Sequence, residues 1–187
     1  MLARPTSATE WNRFTSCWAI SRTGIPLVPP AAGGNGYRIE RAYYDLEGRR
    51  VDPSGVAQGT RLVAVVTVTG DGPRQARLIV DDPLPAGFEI DNPHLLKAGD
   101  LNTIPWLGLE EAAAHTEFRS DRFVAALDRG PKDSARFQLA YRLRAVSPGA
   151  FTHPAATVMD MYRPQQRAWT GTGEAEVRAV GDAATSQ

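Results

Sequence analysis

The chain has 187 residues, with 21 basic and 21 acidic side chains and a formal net charge of zero at pH 7. With no basic run to neutralise phosphates, nucleic acid is not an expected partner. A single cysteine, Cys17, excludes an internal disulfide and a cysteine-based zinc site. The 17 glycines and 14 prolines exceed average usage of about 12% together and favour many short elements joined by tight turns.

In chain order, "NRFTSCWAISR" (12–22) reads as a leading strand, and "TGIPLVPPAAGGNG" (23–36) as a Pro/Gly linker. Residues 1–35 are accordingly placed at a junction with a preceding domain, the leading strand belonging either to that domain or to the sandwich. "YRIERAYYDL" (37–46) is a strand. "TRLVAVVTVTG" (60–70), β-branched and apolar on both faces, reads as a central one. "ARLIVDDPLP" (76–85) follows, stopped by Pro83 and Pro85, which cannot donate to a ladder. Residues 92–115 are too long for a hairpin loop, and "GLEEAAA" within them predicts about two helical turns.

Residues 116–128 read as one further strand. "ARFQLAYRLRAV" (135–146) alternates cleanly, with Phe137, Leu139, Tyr141, Leu143 and Ala145 on one face, as a half-buried antiparallel strand does. Strands are also expected over 154–162 and 174–180. "EGRR", "GDGP" and "SPGA" supply the turns. Seven or more short strands with recurring turn signals predict an all-β, Ig-like antiparallel sandwich with one short helix in a long loop. This domain is placed at residues 36–183, with 184–187 as a disordered tail.

The chemistry-bearing residues do not form a catalytic pattern. His94, His115 and His153 are far apart in sequence, and no metal, nucleophile-elbow or dinucleotide motif is present. No enzymatic activity, cofactor or metal is expected. Asp81, Asp82 and Asp121 could meet around calcium, but strand ends and turns use such acids routinely. Trp11, Trp18, Trp106 and Trp169 would stack on sugars in a free-standing adhesion or carbohydrate-binding module, the alternative reading, yet their spacing suits core or interface anchors better. "RSDR" (119–122) suggests an ion pair through Arg119, Asp121 and Arg122 that clamps the long loop.

Three stretches together resemble the C-terminal macroglobulin-like domain of bacterial α2-macroglobulins. They are "GYRIERAYYDLEGRRVD…VAQGTRLVAVVTV", "VDDPLPAGFEIDNPHL" and "YRLRAVSPGAFTHPAATVMDMYRP". The specific parts are "LPAGFEIDNP", with Pro85, Gly87, Phe88 and Glu89, and "RAVSPGAF…MYRP", with Arg144, Pro148, Gly149 and Pro164. The resemblance covers about residues 36 to 180. It implies a piece of a much longer, protease-trapping polypeptide of the bacterial envelope, lipid-anchored in the periplasm, whose partners are the proteases it traps. It also implies packing against the thioester domain and other neighbouring domains of the same polypeptide, and a shared role with a bifunctional penicillin-binding protein. Cys17 stands in "TSCWAIS" without the Cys-x-Glu-Gln pattern of a thioester, so this region would cover that bond rather than carry it. Ser120 replaces an acid that the family leads one to expect in "RSDR".

Two of the 3 methionines stand one residue apart in "TVMDMYRP". Methionine is polarizable and unbranched and fills irregular gaps, as a removable apolar cover must. The resemblance implies that Met161 lies against the thioester region, with Met159 beside it and Tyr162 and Arg163 completing the interface. Period 2 predicts Met159 and Met161 on one face, with Val158, Asp160 and Tyr162 turned the other way. Met161 is expected to be unusually exposed in this piece alone.

Overall fold

A computed structural model describes residues 28–71, 75–91, 115–119 and 121–180. Within them the strands are β1 (Gly33–Asn35), β2 (Tyr37–Tyr44), β3 (Arg50–Val51), β4 (Val56–Ala57), β5 (Arg61–Gly70), β6 (Ala76–Pro83) and β7 (Phe88–Ile90). They continue with β8 (His115–Phe118), β9 (Arg122–Arg129), β10 (Arg136–Ala145), β11 (Gly149–His153), β12 (Thr157–Asp160), β13 (Arg167–Trp169) and β14 (Gly173–Arg178). One sheet runs β1-β13-β12-β6-β9-β8, the second β3-β2-β5-β10-β7, and a small third β11-β14-β4. Apart from the parallel β14–β4 pair, the strand pairings are antiparallel. The fold is the expected Ig-like sandwich.

Side-chain alternation explains the layering. The inward phases of β2, β6, β9 and β10 deliver Ile39, Leu78, Val80, Phe123, Ala125, Leu139, Tyr141 and Leu143 to one buried cluster. β5 lies between β2 and β10 and buries Leu62 through Val66 on both faces, as a central strand does. Tyr141 stacks on Phe123 across the sandwich with centroids 4.7 Å apart, an arrangement that adds to simple area burial.

Three expectations change. Residues 116–128 form two strands, β8 and β9, because the chain reverses after Phe118 and the Arg119 amide donates to the Arg122 carbonyl at 3.0 Å. Gly33–Asn35, read as linker, pairs with β13 as an edge strand of the larger sheet. The strand expected over 154–162 ends at Asp160, where a tight turn begins. The predicted leading strand (12–22), the "GLEEAAA" helix, the tail, and Trp11, Trp18 and Trp106 lie outside the described residues. Pro53–Gly55 is the single helical element among the described residues, a 3-10 turn capped by the Asp52 carboxylate.

The two motif stretches behind the resemblance form one junction. Phe88 is buried and pairs with Ala145, and Glu89 with Arg144, in the β7–β10 ladder. The Pro85 carbonyl accepts the Phe88 amide at 2.9 Å, and the Gly87 carbonyl accepts the amides of Val146 and Ser147. Glycine is required at 87 because a Cβ there would sit 2.3 Å from the Phe151 ring. After Pro148, Gly149 takes φ 142°, a conformation that L side chains rarely adopt. These residues have structural work: they join β7, β10 and β11. Glu89, Arg144 and Pro148 are exposed, while Pro85 and Gly87 are buried.

Candidate functional site

Among the described residues, the exposed large apolar side chains include an adjacent pair at the β12–β13 turn. Met161 is 53% exposed and Tyr162 is 73% exposed. Met161 stands where exposure was expected; Tyr162 does not turn inward. The reason lies one residue earlier. Asp160 ends the inward phase of β12 fully buried, and its carboxylate accepts the amides of Tyr162 at 2.9 Å and Arg163 at 3.2 Å. That cap bends the chain out of the strand, so period 2 stops applying and both following side chains face solvent. Met159 is half-buried within β12 opposite Ile79 of β6 and Arg167 of β13, and therefore sits apart from the exposed pair.

Charged neighbours hold the tip. Arg163 pairs with Asp160 at 2.7 Å and donates to the Gln75 carbonyl at 2.6 Å. Arg77 of β6 reaches the Tyr162 hydroxyl at 3.3 Å, and its guanidinium lies 5.9 Å from that ring's centroid. Arg77 is itself fixed by Asp128 at 2.6 Å. Between these groups lies an open hollow lined by Arg77, Asp128, Arg129, Asp160, Tyr162 and Arg163. Pro164 is exposed inside the turn, which closes through Gln166 donating to the Arg163 carbonyl at 2.7 Å.

At the β8–β9 turn, Arg122 bridges Asp81 and Asp121, each at 3.2 Å, and Arg119 pairs with Glu117 at 2.8 Å. These pairs are exposed or half-exposed, and such pairs are worth about 0–1 kcal/mol each. The long connection that they were expected to clamp lies outside the described residues. Asp82 faces away from Asp81 into the core, as strand alternation requires, and no cluster of three metal-ligating side chains occurs among the described residues. Trp169 is half-buried and donates its indole N–H to the Ala31 carbonyl at 2.8 Å. That bond ties its ring to the residues just before β1.

Sequence reasoning missed a buried polar network between the sheets. Arg41 forms a salt bridge with Asp82, their side chains only 5% and 0% exposed, and donates to the Pro154 carbonyl at 2.8 Å. The Tyr141 hydroxyl donates to Asp82 at 2.8 Å. Tyr43 lies 2.7 Å from His153 Nε2, tying the third sheet to the sandwich. Burial pushes the Asp82 carboxyl above the ordinary carboxylate range, opposed by Arg41 and Tyr141. Burial works against the Arg41 charge, but Asp82, Tyr43 and Tyr141 together shift the guanidinium upward. Burial raises the Tyr43 and Tyr141 hydroxyls. Burial, then the Arg41 charge, pushes His153 down to about 3. The signal was in the alternation: Arg41 shares the inward phase of β2 with Ile39 and Tyr43, and Asp82 that of β6 with Val80.

Residues 36–165 match the model of the bacterial alpha-2-macroglobulin MG10 domain. The chain belongs to that family. This MG10 domain is 36% identical over 158 residues to the alpha-2-macroglobulin of Xylella fastidiosa, covering 80% of this chain and 9% of that one. It is 30% identical over 165 residues to the alpha-2-macroglobulin of Escherichia coli, covering 84% and 10%. A crystal structure of Salmonella alpha-2-macroglobulin reacted with methylamine superimposes with a TM-score of 0.69 at 31% identity, covering 83% of this chain and 10% of that one. The native Escherichia coli protein from domain MG7 to the C-terminus gives 0.69 at 30% identity, covering 83% and 25%. The chain therefore spans about a tenth of the length of the curated relatives it matches.

Proposed function

We propose that this domain is the removable cover of a thioester in a longer, protease-trapping polypeptide. The carrying observation is the pair Met161 and Tyr162, exposed side by side on a turn fixed by Asp160. A reactive acyl bond survives only when water and small amines are kept out, and an apolar, deformable contact does this while remaining releasable. Burying one methionine side chain contributes roughly 1.5–3 kcal/mol, enough to seal a contact yet small against a large rearrangement.

The occupant of the patch is the thioester region of the same polypeptide. Relatives about ten times longer than the matched region supply the room for such a domain. The Salmonella relative reacts with methylamine, and the Escherichia coli relative is activated by trypsin; both treatments suit a guarded bond that a protease unlocks. In this reading the domain acts as a lid, not a catalyst. The longer protein works in the periplasm, anchored at the cell envelope, traps attacking proteases, and cooperates with a bifunctional penicillin-binding protein. Residues 1–32 connect this domain to a preceding one, with Gly33–Asn35 already part of its sheet.

The test is methylamine incorporation into the longer polypeptide. Met161→Gly should speed it by about tenfold or more, since a factor of ten corresponds to only about 1.4 kcal/mol of lost cover, with thermal stability unchanged. An unaltered rate would count against the cover.

A further inference from the structure

The turn that presents Met161 and Tyr162 is organised around a carboxylate that never reaches solvent. Asp160 is fully buried, and one of its oxygens accepts the amides of Tyr162 at 2.9 Å and Arg163 at 3.2 Å. Its second oxygen takes the Arg163 Nε at 2.8 Å. The Nη2 of the same guanidinium, 2.7 Å from that oxygen, also donates to the Gln75 carbonyl at 2.6 Å, just before β6 begins. Met161 is pinned as well, its amide donating to the Arg77 carbonyl of β6 at 2.8 Å. A buried carboxylate is tolerable only when its lone pairs are satisfied. Here its acceptors fix the backbone that decides where Met161 and Tyr162 point.

We infer that Asp160 is a positioning residue for the cover. With Arg163 as its counterion it holds Met161 and Tyr162 outward, preset for the apolar surface around the thioester. Arg163, expected on sequence grounds to touch the partner, serves this lock instead: it is only partly exposed and is engaged by Asp160 and Gln75. The inference rests on the cover reading above and adds how the contact is kept ready. A preset tip loses less conformational entropy on docking than a floppy one, so the same small apolar area seals better.

Two measurements separate the parts. In this chain, Asp160→Ala should speed hydrogen exchange of the Tyr162 and Arg163 amides by about tenfold or more, leaving Val158 and Ala168 in the β12–β13 ladder unchanged. Asp160→Asn, which keeps an acceptor oxygen, should restore most of the protection. If Asp160→Ala does not fold, Arg163→Met carries the same readout from a partly exposed position. In the longer polypeptide, Asp160→Ala and Arg163→Met should speed methylamine incorporation, with Asp160→Asn close to wild type and Met161→Gly as the comparison. Unchanged amide exchange overturns the positioning role. So does a normal methylamine rate in both lock variants when Met161→Gly is fast, and the cover then stands without it. No effect of Met161→Gly overturns the cover and, with it, the docking role assigned to Asp160.

Discussion

Replacing Asp82 with alanine would strand the Arg41 guanidinium inside the sandwich. Its side chain is 5% exposed, and it would be left donating to the Pro154 carbonyl. The Tyr141 hydroxyl would lose its acceptor in the same step. Removing one partner of a buried ion pair typically costs about 3–5 kcal/mol, far more than the net worth of the pair, because an uncompensated charge remains. A domain of this kind has about 5–15 kcal/mol of total stability, so the loss is a large fraction of it. With a guanidinium m-value of about 4 kcal/mol/M, the unfolding midpoint at pH 7 should fall by about 1 M. The double variant Arg41→Met, Asp82→Leu removes both charges and should recover most of that loss, leaving about 1–3 kcal/mol for the hydroxyl and carbonyl deprived of partners. A drop below about 1 kcal/mol for Asp82→Ala would refute the account of the network as a tightly coupled pair. So would a double variant no better than the sum of the singles.

Further outcomes follow from the same geometry. Arg41→Met leaves a carboxyl that burial already pushes up; protonation removes its charge, so this variant should lose stability relative to wild type as pH rises above the ordinary carboxylate value of about 4. His153 behaves with the opposite sign: its folded value, about 3, lies below the ordinary 6.5, so its contribution is present above the ordinary value and lost on acidification. Between pH 6.5 and 4.5 that is about two pH units at about 1.4 kcal/mol each, roughly 3 kcal/mol. Denaturant titrations of His153→Gln should show a flatter dependence over that window. Gly87→Ala forces a methyl to within 2.3 Å of the Phe151 ring, which should cost about 2 kcal/mol and lower Tm by about 6 °C in a thermal melt.

Much of the sandwich is legible in the sequence because its long strands obey one period without interruption. β5 is apolar on both faces and central; β10 alternates cleanly, its outer face exposed at Arg136 and Arg144 and covered at Ala140 between them. Short strands such as β11 and β13 offer too few residues for a period to show, and their places come from pairing with β14 and β12. β8 and β9 merge in the sequence because residues 116–118 and 122–128 carry similar strand-forming character, while the reversal between them uses charged residues instead of Gly or Pro. At the candidate site, the exposure of Met161 follows from the family resemblance. The direction of Tyr162 does not, because the buried Asp160 ends the strand two residues sooner than its apolar pattern suggests. Arg41 and Asp82 were visible as opposite charges in two inward phases. Only the packing of the two sheets shows that these residues meet.

The most direct measurement is oxidative footprinting of Met161 in this chain and in the longer polypeptide. In this chain, where Met161 is 53% exposed, labelling should be fast. In the intact longer polypeptide it should be strongly suppressed, then return after cleavage by trypsin or reaction with methylamine. Equal labelling of Met161 before and after those treatments would contradict the account.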